Sequence, residues 1–157
     1  MPELDIKTRL ANLEAKEEVR EFVASYCAIT DRIDKIGDLV DLFTEDAVLR
    51  KPTGVYSARA AIESYYATFF AAGVKFSRHH AVNQVITVLE PGVVRHEAYF
   101  IAFLGRGGDS KIAFGRYEDL VVKQEGVWRF KDKHNDIVAN TSLEAGWAEG
   151  FGSAGVF

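Results

Sequence analysis

The stretch Ser77–Val85, SRHHAVNQV, sets two histidines side by side where the chain takes on strand character. Neighbouring side chains of a strand point to opposite faces, so at most one of His79 and His80 looks into a given cavity. By the same alternation Asn83 falls on the face of His79. An imidazole with its ordinary pKa near 6.5 is a useful proton acceptor at neutral pH. A carboxylate on its other ring nitrogen would fix the tautomer and stabilise the imidazolium that forms. The segment YCAITDRID, Tyr26–Asp34, offers two carboxylates, Asp31 and Asp34, about one helical turn apart. Both sit where a helix ends, and there the macrodipole disfavours negative charge by a few tenths to about 1 kcal/mol. Such a local conflict marks either a working site or two solvated charges that help to end the helix. Spacing permits Asp31 to meet His79 without requiring it, and a histidine buried for structural reasons is the alternative. Asn83 can orient a substrate or satisfy a buried backbone group.

Other polar residues are weaker candidates. His96 and Glu97 face opposite ways in mid-strand, and one of such a pair usually meets solvent. KDKHND, Lys131–Asp136, reads mainly as a solvated charge run from which Lys133 or His134 can line a cavity mouth. No cluster has the three or four convergent N, S or O donors of a zinc site. GRGGDS lacks the Walker lysine and its strand-to-helix setting, and no G-x-S-x-G elbow is present. These exclusions leave an acid–base site with no metal and no cofactor.

The elements that must carry these residues follow from periodicity. Leu10, Leu13, Val19, Phe22, Val23 and Tyr26 form an apolar stripe that predicts a helix over Leu10–Ile33. After Gly37, Asp38 can cap a short helix, DLVDLF. AVLRKPTGVYS reads as a strand and turn, and Ser57 as the cap of a third helix ending at Gly73. From Ser77 onward four long β-rich runs alternate with turns, the last two joined by QEG. The expected fold class is α+β: three helices packed on one face of a curved, antiparallel, cone-shaped sheet, with a pocket inside.

With 157 residues, 48% hydrophobic, the chain suits one domain over residues 1–140, followed by a glycine- and aromatic-rich tail over 141–157. A net charge of −4 and no basic patch argue against nucleic acid as a partner. The single Cys27 excludes an internal disulfide. The charged N-terminus is neither a signal nor a membrane span, so a cytoplasmic protein without membrane contact is expected. Trp147, Phe151, Val156 and Phe157 in the tail suggest packing on a neighbouring subunit or over the pocket mouth, and so a homo-oligomer, dimer or trimer.

YCAITDRID, LVDLFTEDAVL, RHHAVNQV and GRYEDLVVKQEGVWRF together resemble the SnoaL-like branch of the nuclear transport factor 2-like superfamily, over about Leu13–Val138. The closest functional pattern is similar to that of hexachlorocyclohexane dehydrochlorinases and, more distantly, scytalone and bile-acid dehydratases. That resemblance implies a catalytic pair at Asp31 and His79, with Asp34 a conceivable substitute for Asp31. It places Tyr26 where the dehydrochlorinases carry a lysine and Lys133 where they carry an arginine. Phe114, or a neighbour, takes the place of a second histidine of scytalone dehydratase. The implied activity is a cofactor-independent lyase, eliminating water or a hydrogen halide from a small hydrophobic cyclic molecule. Tyr26 or Lys133 would donate to the leaving group, and Tyr56, Tyr65, Phe69 and Tyr99 would supply wall. The alternatives are an isomerase using the same base, or a non-catalytic module that binds a hydrophobic ligand or assembles.

Overall fold

Asp5 starts the first helix. Its carboxylate accepts from the backbone N–H groups of Lys7 and Thr8 at 2.9 and 3.2 Å, capping α1 over Ile6–Thr30. The computed structural model describes residues 5–32 and 34–146. Val19, Val23, Tyr26, Cys27 and Thr30 form the buried stripe of α1. Leu10 and Leu13, expected in that stripe, are 56% and 64% exposed, because the first turns project beyond the sheet. The helix ends with Asp31 as its C-cap.

A short α2, Ile36–Val40, leads into β1, Phe43–Lys51, and β2, Gly54–Ser57. Asp38 lies inside α2 and does not cap it, and Phe43 belongs to β1. Nor does Ser57 cap α3, Arg59–Ala71; it closes β2 instead. The helix start is tied to β1 by Arg59, whose guanidinium donates to the Phe43 carbonyl at 2.6 and 3.1 Å. Ile62, Tyr66 and Phe70 are its buried face.

Four long strands follow: β3 Val74–Glu90, β4 Val93–Arg106, β5 Asp109–Gln124 and β6 Val127–Ser142. They join β1 and β2 in one six-stranded sheet of order β2-β1-β6-β5-β4-β3. The fold is α+β as expected, but the sheet is mixed: β1 runs parallel to β6. The helices cover one face, where Val94, Ala98, Phe100, Tyr117, Val121 and Phe130 join Val23, Tyr26 and Tyr66 in a single core. Among the described residues no helix is long and apolar enough to cross a membrane. The expected role of Trp147, Phe151, Val156 and Phe157 lies outside the described residues.

The ladder between β4 and β5 is unbroken from Val93↔Val122 to Arg106↔Asp109. The flanking ladders are not: register slips between Val82 and Val85 in β3, and opposite Phe114/Gly115 and Leu120/Val121 along β6. Each slip is a β-bulge, which moves the following side chains to the other face. Gly115 sits against one of them, and a Cβ there would lie 1.9 Å from the Asp136 carbonyl oxygen. Gly115→Ala should therefore cost about 2–4 kcal/mol in urea unfolding, against under about 1 kcal/mol for Gly37→Ala, whose added methyl meets nothing.

Candidate functional site

The end of α1 crosses the start of β3, and there Asp31 reaches His79. Asp31 Oδ1 lies 2.8 Å from His79 Nδ1. The carboxylate also accepts the His79 backbone N–H at 3.0 and 3.1 Å, and the Ser77 hydroxyl at 3.0 Å. Since an ionised carboxylate only accepts, Nδ1 carries the proton in this contact and Nε2 presents its lone pair. Among the described residues nothing bonds Nε2, and it is not among the atoms sealed from solvent. The two side chains are 13% and 12% exposed. Burial raises the Asp31 carboxyl, but hydrogen bonds from the His79 ring and backbone outweigh it and hold the group below its ordinary value. Asp34 is exposed and takes no part, while His80 faces outward, edge-on to Phe103 at 5.9 Å.

A second polar cluster lies deeper. Asp119 Oδ2 is 2.8 Å from His96 Nδ1, and both Asp119 oxygens are 3.3 Å from Lys133 Nζ. All three side chains are fully buried. The Lys133 ammonium also lies 4.2, 3.9 and 4.3 Å from the ring centroids of Tyr26, Tyr117 and Phe130, a cation–π cage. Burial lowers the Lys133 pKa against the pull of Asp119. Tyr26 and Tyr66 share a hydrogen bond at 3.2 Å, and burial pushes both hydroxyls, with that of Tyr117, well up. Cys27 joins the two clusters: burial pushes its thiol up to about 11, with Lys133 opposing and Asp31 adding to the rise. His96 Nε2, the Tyr117 hydroxyl and Asn135 Oδ1 are buried without a partner.

Several expected site residues stand elsewhere. Asn83 does not share the face of His79: it occupies the β3 bulge with φ 53°, is exposed, and borders Tyr99 and Glu97. Tyr99 and Phe114 pair with Val82 and Ile101 on the outer face of the sheet. There they line an apolar hollow of about 500 Å³ with Val82, Ile112 and Val138. That hollow is not lined by Asp31 or His79. Tyr56, Tyr65 and Phe69 make an aromatic row packed against the core, with centroids 4.6 and 6.3 Å apart.

Ser77, Asp119, Tyr66, Tyr117 and Asn135 escaped sequence reasoning. Asp119 left a signal, since it alternates with Tyr117 and Val121 at inward positions of β5. Lys133 left none: the β6 bulge shifts the inward set from Trp128 and Phe130 to Lys133 and Asn135, off the expected parity.

The SnoaL-like domain family matches residues 11–134. The chain belongs to this family. A candidate scytalone dehydratase from Novosphingobium aromaticivorans is 22% identical at a TM-score of 0.78, over 83% of this chain and 89% of the other. A hexachlorocyclohexane dehydrochlorinase, LinA-type3, from Novosphingobium barchaimii LL02 is 16% identical at 0.74, over 86% and 94%. The beta subunit of a candidate aromatic-ring-hydroxylating dioxygenase from N. aromaticivorans is 21% identical at 0.70, over 81% and 91%. At these identities the likeness concerns the SnoaL-like fold, which supports more than one function. No curated protein matches the sequence.

Two stability tests follow from the clusters. Because Asp31 is depressed, its contribution to stability is present above its unfolded pKa of about 3.9 and is lost as pH falls through the folded value. The melting-temperature gap between wild type and Asp31→Asn should therefore be constant from pH 7 to 5 and close below about pH 4. Asp119→Ala, which strands a buried ammonium, should cost about 3–5 kcal/mol in urea unfolding at pH 7.

Proposed function

We propose that this SnoaL-like protein is a cofactor-independent lyase in which His79 Nε2 is the general base. The observation that carries the reading is the 2.8 Å contact of Asp31 with His79 Nδ1, which leaves Nε2 bare and open to solvent. His79 removes a proton from carbon while hydroxide or halide departs from the neighbouring carbon. Asp31 keeps the ring oriented and stabilises the imidazolium. Ser77 and the His79 backbone N–H hold the carboxylate itself in place. Tyr26 and Lys133 lie on the helix-covered face with His79, as donors to a leaving group require, although Tyr26 is engaged with Tyr66 and Lys133 with Asp119. Tyr56, Tyr65 and Phe69 supply an aromatic wall. The fit is to a small, hydrophobic, cyclic molecule, and the SnoaL-like dehydratase and dehydrochlorinase folds beside it support that class. The same base moving a proton between two carbons would make an isomerase.

A second reading, a non-catalytic assembly module, draws on two observations. The large apolar hollow is on the outer face, and the fold is shared with a dioxygenase beta subunit. In that reading the protein is a homo-oligomer, a dimer or trimer, built on the outer face.

A panel of small cyclic alcohols and halides, followed by mass loss and halide release, tests the lyase. His79→Ala should lower kcat by about 100-fold or more and leave the melting temperature within a few degrees. Turnover that survives both His79→Ala and Asp31→Asn would remove the base from this account. Product mass separates the reactions, since elimination loses water or acid and isomerisation loses nothing.

A further inference from the structure

Lys51 ends β1, two residues beyond the buried Leu49, so its side chain turns to the same helix-covered face. Its Nζ lies 5.6 Å from the ring centroid of Tyr65, which packs on Tyr56 at 4.6 Å and on Phe69 at 6.3 Å. Among the described residues no carboxylate pairs with that amine and no group hydrogen-bonds it. Lys51 is partly buried, yet its Nζ is not among the atoms sealed from solvent. The arrangement differs from that of Lys133, whose ammonium is enclosed by Asp119 and three rings.

We propose that Lys51 is a reactive amine that condenses with the carbonyl of a small aromatic aldehyde or ketone seated on the Tyr56–Tyr65–Phe69 row. The neutral amine adds its lone pair to the carbonyl carbon, forming a C–N bond and a carbinolamine. Loss of water then gives the imine, with no oxidant or reductant consumed. Three features favour this. The aromatic row holds an apolar ring beside the nitrogen, Nζ is open to solvent, and a second fixed cation disfavours protonation, as in other activated amines. The charged and titratable groups facing Lys51 are Lys133 of β6, Asp119 of β5, Tyr65 of α3 and Tyr56 of β2. Burial and the Lys133 ammonium together lower the amine to about 7, against the pull of Asp119. This site does not depend on His79 acting as a base.

The test is reductive trapping with benzaldehyde and sodium cyanoborohydride, read by intact mass and peptide mapping on the whole protein. At pH 7 Lys51 should take one benzyl group about 100-fold faster than exposed Lys75, because an ordinary lysine is almost wholly protonated there. The Lys51 rate, followed under limiting reagent, should rise through a midpoint near pH 7, while that of Lys75 rises near 10. Lys51→Arg should abolish the fast adduct with the fold intact, and His79→Ala should leave it unchanged, so failure here is distinct from failure of the lyase. Lys51 labelled no faster than Lys75, a midpoint near 10, or no adduct at Lys51 would each overturn the proposal.

Discussion

A strand can change the face to which its side chains point only by taking in an extra residue, and this constraint governs the interior. β4 and β5 keep an unbroken ladder and act as a ruler for the sheet. Against that ruler β3 slips at Asn83–Gln84 and β6 slips between Phe130 and Asp132. The β6 slip brings Lys133 level with Asp119 on the helix-covered side. The β3 slip sends Asn83 outward while Ile86 returns to the core beside His96. Without these bulges the sheet would bury a different set of side chains, and neither polar cluster would form as it does.

The two clusters answer the cost of burying charge in different ways. Lys133 and Asp119 are fully enclosed, and the ion pair is joined by the His96 contact and three aromatic faces. Removing one member leaves the other desolvated and alone, so the array acts as a unit. Asp31 is only mostly covered, and its oxygens are used by the Ser77 hydroxyl, the His79 N–H and the His79 ring. A carboxylate with that many donors is held in one orientation, and it carries the imidazole with it. The same donors offset the unfavourable position of an acid at the end of α1.

Membership of the SnoaL-like family and the likeness to dehydratase, dehydrochlorinase and oxygenase-subunit structures describe a scaffold with one helix-covered face and one open face. The two faces of the same strands hold different chemistry. The covered face carries the polar clusters and Lys51. The open face carries Val82, Tyr99, Phe114 and Val138 around an apolar hollow. An expectation that all ring-bearing residues line one cone overlooks this division.

The helices, the long β-rich runs and their turns were legible in the sequence because they follow local periodicity and turn chemistry, as Val19, Val23 and Tyr26 in α1 and the Glu125–Gly126 turn illustrate. The choice of Asp31 and His79 was legible through their types and family pattern. Their 2.8 Å approach was not, because it depends on where α1 crosses β3. Nor was the inward turn of Lys133, the outward turn of Asn83 or the parallel pairing of β1 with β6. Those features arise from register between strands distant in sequence, and a single residue of slip reverses them. Local pattern therefore determined which elements exist and which residues could do chemistry, while the tertiary pairing decided which of them face one another.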